Sequence, residues 1–225
     1  MVISCGNTKG GVGKSTLAVN LTIGLVKRGR DVLLIDGDSP QETALAFTQL
    51  RTKTDYTAIA LHGAQIRTQI RQQLAGRYQE IVIDVGGRDT ASLRAALTVT
   101  DLLVIPCVPR SFDLWAIEST ADLVREAREI NEGLRALAVL NCADYQGSDN
   151  AEALAQLAEI PGIEVSPFIL VRRKAYANAA AQGLSVLEFT DSSNPEGAAK
   201  ARDEFAAFFN SLSAQKGKNH ARQKA

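Results

Sequence analysis

Short, mostly apolar runs alternate with longer helical patterns along nearly the whole chain, and this alternation limits the folds that it can adopt. The clearest runs are at 2–5, 32–35, 81–83, 102–105 and 137–140. Continuous apolar runs of this kind are typical of strands buried on both faces of a parallel sheet. The stretches between them have helical spacing, as in repeated strand–helix units. We therefore predict an α/β fold, a mostly parallel twisted sheet with helices on both faces.

The remaining patterns extend the same alternation to the end of the chain. Weaker strand patterns lie at 56–61 and 167–170, and we expect the second at a sheet edge. Helical patterns lie at 14–28, 42–51, 64–75, 93–99, 112–131, 151–159, 172–182 and 194–212. No internal repeat interrupts the series, so we predict a single domain at 1–212. Residues 213–225 contain four basic residues and no acidic one, and we interpret them as a basic, flexible tail.

The composition excludes several classes of protein. The chain of 225 residues is 45% apolar and 22% charged, unlike disordered or collagenous chains. Lysine and arginine number 25, as do aspartate and glutamate, so the overall charge does not indicate a nucleic-acid-binding protein. The three cysteines lack metal-site spacing, and no apolar stretch is long enough to span a membrane. These features are typical of a cytoplasmic protein.

The first apolar run leads into a glycine-rich segment, GNTKGGVGKST at 6–16. Glycines allow backbone N–H groups to converge on an anion, and a helix that begins at Lys14 points its positive end at the same place. The segment predicts a triphosphate-binding loop of the Walker A type, although Thr8 stands where the standard motif has glycine. Lys14 would contact the β- and γ-phosphates, and the Ser15 hydroxyl would ligate Mg²⁺. The predicted nucleotide contacts in this loop are Gly10, Gly11, Val12, Gly13, Lys14, Ser15 and Thr16.

Aspartates follow two other predicted strands. Asp36 and Asp38 come after the second clear run, and Asp84 comes after the third. Ligands of such sheets bind beyond the carboxyl ends of the strands, so we expect these side chains beside the phosphate loop. Asp36 and Asp84 are candidate Mg²⁺ ligands together with Ser15. Asp38 is the better candidate to orient an attacking water.

Three motifs resemble those of a known family. The order KGGVGKST at 9–16 resembles the deviant Walker A motif of the ParA/MinD superfamily of ATPases, in which the additional lysine, here Lys9, is the signature. The segment LLIDGDSPQ at 33–41 resembles a second acidic motif of this family, with Ser39 as an extra residue. The segment IVID at 81–84 resembles its Walker B strand.

Later parts of the chain resemble the same family. Gly86 and Gly87 stand where many relatives carry two prolines. Pro106 lies in a segment that resembles the loop bordering the base, and Asn141 follows the next strand beside the expected base site. The resemblance implies that Pro106 borders the adenine. Asn141 could hydrogen-bond the adenine, and it could equally cap or turn the backbone. The resemblance covers essentially the whole chain and implies an α/β fold of the P-loop NTPase type.

The short ParA type, which has no N-terminal helix-turn-helix, is the branch that the chain resembles. This resemblance implies a weak, Mg²⁺-dependent ATPase whose homodimer closes with ATP, Lys9 of each subunit contacting the phosphates of the other. The ATP dimer would bind DNA without sequence preference, in part through the basic triplet Arg172, Arg173 and Lys174. It would drive plasmid or chromosome partition with a centromere-binding or cargo-adaptor protein that stimulates hydrolysis, and it would associate with the nucleoid.

Two other functions remain open. A MinD-like switch would position a protein assembly or act at a membrane, and one side of the helix at 203–212 carries Phe205, Phe208, Phe209 and Leu212. We expect this helix to pack on the sheet instead, because it is short and its Asp203 and Glu204 would face anionic lipid. The other function is a DNA scaffold that binds nucleotide but hardly hydrolyses it. We would expect such a scaffold to lack one of the lysines or aspartates of the motifs, and this chain has them all.

Overall fold

The structure is a computed structural model that describes residues 1–39, 41–87, 90–109, 114–145 and 149–214. The strands are β1 Val2–Cys5, β2 Val32–Asp36, β3 Thr57–Ala60, β4 Glu80–Asp84, β5 Leu102–Cys107, β6 Arg135–Ala143, β7 Glu164–Val165 and β8 Leu170–Val171. The helices are α1 Lys14–Lys27, α2 Thr43–Leu50, α3 Ala64–Gln69, α4 Thr90–Leu97, α5 Leu114–Arg128, α6 Asp149–Ala158, α7 Lys174–Ala180 and α8 Pro195–Ala214. A π-helical segment, Ile70–Leu74, continues α3.

The strands form one parallel sheet in the order β3-β2-β4-β1-β5-β6-β7. β8 also pairs with β6, nearer the carboxyl end of β6 than β7 does. Every strand pairing within the described residues is parallel. β1 lies between β4 and β5, so the glycine-rich segment that follows β1 is central in the sheet. β2 and β4 are neighbours in a register that pairs Asp36 with Asp84, which brings the two strand ends together.

Helices cover both faces of the sheet and bury a separate apolar layer on each. Residues of α1, α2, α7 and α8 pack on one face. Residues of α3, α4, α5 and α6 pack on the other. Strands covered on both sides need apolar side chains in both directions, which is why β2 and β5 are continuous apolar runs. The predicted α/β fold with a parallel, helix-covered sheet is confirmed.

The aromatic side of α8 faces the sheet. Its four large apolar side chains are all at most 5% exposed; they are Phe205, Phe208, Phe209 and Leu212. They lie in the same apolar layer as α1, so this surface is occupied by the protein itself. Among the described residues, no helix combines the length and the apolar character that crossing a bilayer requires.

The C-terminal third departs from the predicted pattern in two places. β7 was not predicted, and the strand predicted at 167–170 shares only Leu170 with β8. Both strands have two residues, which is too short for apolar alternation to be recognised. The predicted tail lies outside the described residues from 215 onward, so its flexibility and the domain boundary stay predictions.

Candidate nucleotide-binding site

The glycine-rich segment forms an open loop between β1 and α1. Gly11 and Gly13 have φ values of 74° and 92°, in the left-handed region that favours glycine. Gly13 caps α1, and its carbonyl accepts the first helical hydrogen bond from Leu17 at 3.0 Å. A Cβ atom at Gly10 or Gly11 would meet nothing within 4 Å, so the loop borders open space. A phosphate group could approach the backbone from that side, with the N-terminus of α1 beside it.

Two buried asparagines hold this loop in shape. The Asn7 amide donates to the Pro106 carbonyl at 2.9 Å, and its oxygen accepts from the Lys9 N–H at 3.0 Å. The Asn141 amide donates to the Val12 carbonyl at 2.7 Å. Asn141 therefore contacts the backbone, which is one of the two roles predicted for it. Contact of Asn141 or Pro106 with adenine stays a prediction. Asn7 was missed, and its position at the end of β1 was the available signal.

Lys14 points back across the loop. Its ammonium group donates to the Lys9 carbonyl at 2.8 Å, and the side chain is buried. The pKa of Lys14 is lowered, because the effect of burial outweighs the opposing effect of the negative charges of Asp84 and Asp38. Lys14 therefore lies between the loop and the predicted carboxylates, as an ammonium group that binds phosphate must.

Asp84 ends β4 as a fully buried carboxylate. Within the described part of the chain, neither of its oxygens makes a well-aligned hydrogen bond. Burial raises the pKa of Asp84 to about 7. The nearby Ser15 hydroxyl and Lys14 charge act in the opposite direction, but they do not offset the loss of water.

Asp36 is equally buried but already has hydrogen-bond partners. One of its oxygens accepts from the Asp38 N–H at 3.1 Å, and the other accepts from the Leu45 N–H at 2.9 Å. Asp36 therefore shapes the loop that carries Asp38 and anchors the start of α2. A metal contact by Asp36 stays a prediction, and the ion would have to share these oxygens.

The comparisons with known proteins identify the family. Residues 3–186 match the family described as the CobQ/CobB/MinD/ParA nucleotide binding domain. The chain belongs to this family. The predicted ParA/MinD resemblance is thus confirmed, and the ParA and MinD members are nucleotide-binding ATPases.

Individual members of the CobQ/CobB/MinD/ParA family are similar over most of the chain. The "Maintenance of carboxysome distribution protein A" of Halothiobacillus neapolitanus is 30% identical over 189 residues, 83% of this chain and 86% of that protein. "Protein ParA" of Rhizobium radiobacter is 25% identical over 186 residues, 78% and 80% of the two chains. The structure of Cyanothece McdA with ATP matches the fold with a TM-score of 0.72 and 18% identity, covering 91% of this chain and 96% of that one.

The residues of this family member fit a magnesium nucleotide. Mg²⁺ prefers oxygen ligands and is usually held by one or two carboxylates together with substrate phosphates and water. The Asp84 carboxylate, without a well-aligned partner, and the Ser15 hydroxyl beside it offer such a donor set. When bound, the ion would neutralise phosphate charge and hold the β- and γ-phosphates in place. The site therefore suits a ligand that brings Mg²⁺ together with phosphate groups.

The basic triplet lies at the same edge of the sheet as the phosphate loop. It follows β8, and the Arg172 N–H donates to the Ala143 carbonyl at the end of β6 at 2.9 Å. Arg172 and Lys174 are exposed, whereas Arg173 forms an ion pair with Glu204 of α8. Arg173 thus joins α7 to α8, a role that local sequence does not reveal because Glu204 lies 31 residues away.

Proposed function

We propose that this chain is an ATP-dependent switch that dimerises with ATP, binds DNA without sequence preference and distributes a cargo. A partner protein stimulates ATP hydrolysis and releases the dimer from the nucleoid. The observation that carries the ATPase part is the convergence of Lys14, Asp38 and Asp84 at one end of the sheet. Phosphoryl transfer depends on positioning and charge neutralisation, which is what these groups supply.

ATP binding would also replace the hydrogen bond between Lys14 and the Lys9 carbonyl. In the described state, the Lys14 ammonium group is held by the Lys9 carbonyl. Phosphate oxygens are stronger, charged acceptors and would compete for this hydrogen bond. The Lys9 side chain would contact the nucleotide of the second subunit, as the family resemblance implies. Dimerisation would depend on ATP because the triphosphate bound to the second subunit supplies the charged acceptors for Lys9.

The cargo has two candidates. Plasmid or chromosomal DNA is the cargo implied by the ParA resemblance, and a relative named ParA is 25% identical. A relative named for carboxysome distribution is 30% identical and covers slightly more of the chain, which supports a protein assembly as the second candidate. The same proposed cycle of ATP binding, surface attachment and partner-stimulated release would serve either cargo.

Asp38→Ala is expected to retain ATP binding but to lose at least about 100-fold in hydrolysis, because a positioned general base contributes about 10²–10⁴ to the rate. Single-turnover phosphate release, with protein in excess over labelled ATP, measures the loss. Asp203→Ala, at an exposed position on α8, is the control and should behave like the unmodified protein. Normal hydrolysis by Asp38→Ala would move the water-positioning role to another residue.

Replacing Arg172 and Lys174 together by glutamine is expected to weaken binding to random-sequence duplex DNA in the presence of ATP. Each lost phosphate contact should reduce the slope of log affinity against log salt by about 1. Binding across a salt series, with ATP, with ADP and without nucleotide, measures both effects. Arg173 is kept because its replacement would also disturb the contact with Glu204.

The control for the DNA experiment removes two positive charges elsewhere. Lys27 and Arg125 are exposed on α1 and α5, and their double glutamine variant lowers the net charge equally. This control should keep the affinity and the salt slope of the unmodified protein to within about one contact. Equal losses in both variants would show that overall charge, and not the start of α7, decides DNA binding.

A further inference from the structure

Gly86 lies two residues beyond the end of β4, directly against Asp38. A Cβ atom built on Gly86 would lie 2.2 Å from the Asp38 Oδ1 atom and 3.2 Å from its Cα atom. The backbone at Gly86 is not in the left-handed region, so the conformation there does not require glycine. In this structure it is space that favours glycine, because the Asp38 carboxylate occupies the volume that a side chain here, such as the proline of many relatives, would fill.

The backbone of Asp38 is fixed on three sides. Its N–H donates to Asp36 at 3.1 Å, and its carbonyl accepts from the Glu42 N–H at 2.8 Å. The preceding residue, Gly37, donates to the Asp84 carbonyl at 2.8 Å. These hydrogen bonds hold the loop close to β4, so an added methyl group would displace mainly the terminal carboxylate of the Asp38 side chain.

We propose that Gly86 is a positioning residue for Asp38: by having no side chain, it lets the Asp38 carboxylate lie against the backbone after β4, beside Lys14 and Asp84. This inference rests on the proposed role of Asp38 in hydrolysis and extends it to a residue that contacts no substrate. A displacement of about 1 Å can cost an enzyme about 100-fold in rate. A methyl group at Gly86 forces a displacement of that order.

Gly87 makes a different contact and supplies a contrast. A Cβ atom there would lie 2.8 Å from the Lys9 carbonyl oxygen and 2.9 Å from the Lys14 ammonium nitrogen. The Lys9 atoms belong to the phosphate loop backbone, which cannot rotate away as a side chain can. Gly87→Ala is therefore expected to weaken ATP binding itself, whereas Gly86→Ala should act on hydrolysis.

The experiment compares Gly86→Ala with a matched glycine control. Gly86→Ala is expected to bind ATP within about twofold of the unmodified protein and to lose about 10- to 100-fold in single-turnover hydrolysis. Gly133→Ala is the control, because a Cβ atom there meets nothing within 4 Å and its backbone is not left-handed. It should change neither quantity. If Asp38→Ala lost hydrolysis but Gly86→Ala hydrolysed ATP normally, the role proposed for Gly86 would be overturned and that of Asp38 would stand.

A double variant separates positioning from a structural effect. If Gly86 acts only through the Asp38 carboxylate, Asp38→Ala with Gly86→Ala should hydrolyse ATP no more slowly than Asp38→Ala alone. Any loss of Tm in Gly86→Ala should also be restored in the double variant, since the crowded oxygen is gone. Additive losses, or a Tm that is not restored, would overturn the proposal. Normal turnover by Asp38→Ala would remove the proposed role of Asp38, and the role of Gly86 with it.

Discussion

Lys14→Ala is expected to bind ATP at least about 30-fold more weakly than the unmodified protein, since truncating one partner of a buried charged hydrogen bond costs about 2–5 kcal/mol. The side chain is 6% exposed and emerges from the first turn of α1. Lys9 is not expected to replace it, because we propose that the Lys9 side chain contacts the nucleotide of the second subunit. Isothermal titration with ATP and Mg²⁺ measures the loss.

The control for Lys14 lies on the same helix. Lys27 is exposed in the last turn of α1, at the end farthest from the loop, so Lys27→Ala should bind ATP normally. Circular dichroism and the Tm of both variants establish that they fold. Folded Lys14→Ala protein with ATP affinity within about twofold of the unmodified chain would contradict the assignment of the loop.

The fold was predictable because its signals are local. The runs at 32–35 and 102–105 are apolar in every residue, and the structure places them as interior strands covered on both faces. β7 carries no comparable signal. It has two residues, and its Glu164 is an exposed side chain paired with Arg135 across the sheet edge. Tertiary pairing with β6, and not local pattern, makes it a strand.

The site also contains some features that the sequence predicts and others that it does not. Lys14 and Asp84 were predictable because each ends or begins an element, and the order of strand, loop and helix fixes where such residues lie. The contact of Asn141 with the Val12 carbonyl joins residues 129 positions apart. The approach of Gly86 to Asp38 likewise depends on two loops meeting, so neither contact could be inferred from local pattern.

Arg51 was missed for the same reason, although it is among the most connected side chains of the described structure. Its guanidinium group, 1% exposed, lies just after α2. It donates to Asp55 at 2.9 and 2.7 Å, to Glu188 at 2.8 and 3.0 Å, and to the Gly183 carbonyl at 3.0 Å. These bonds join the end of α2 to the segment that follows α7. Sequence shows only an arginine at the end of a helical pattern.

Glu188 depends on this arginine. Burial alone would raise the pKa of Glu188, but hydrogen bonds from Arg51, Lys53 and the Ser185 N–H lower it to about 2. The carboxylate is therefore charged in the folded protein at neutral pH while its side chain is only 8% exposed. A buried charge of this kind is stable only with its partner in place.

Arg51→Ala is expected to lower the free energy of unfolding by about 3–5 kcal/mol, because it leaves Glu188 buried with an incomplete set of partners. For a chain of this length the Tm should fall by roughly 6–20 °C. Urea unfolding at neutral pH measures the free energy, and calorimetry measures the Tm. ATP affinity should change little in the folded fraction, since the nearest acceptors of Arg51 all lie outside the phosphate loop.

Two further variants separate the buried charge from simple loss of packing. Arg125 pairs with Asp122 at 2.9 Å, but its side chain is 76% exposed, so Arg125→Ala should cost less than about 1 kcal/mol. Arg51→Met combined with Glu188→Gln removes the charges of Arg51 and Glu188 while keeping similar volume, and Asp55 keeps its charge. This pair should be more stable than Arg51→Ala alone, because Glu188, the more buried of the two carboxylates that Arg51 contacts, is no longer charged. If Arg51→Ala cost no more than Arg125→Ala, the contact between α2 and the segment after α7 would not depend on this ion pair.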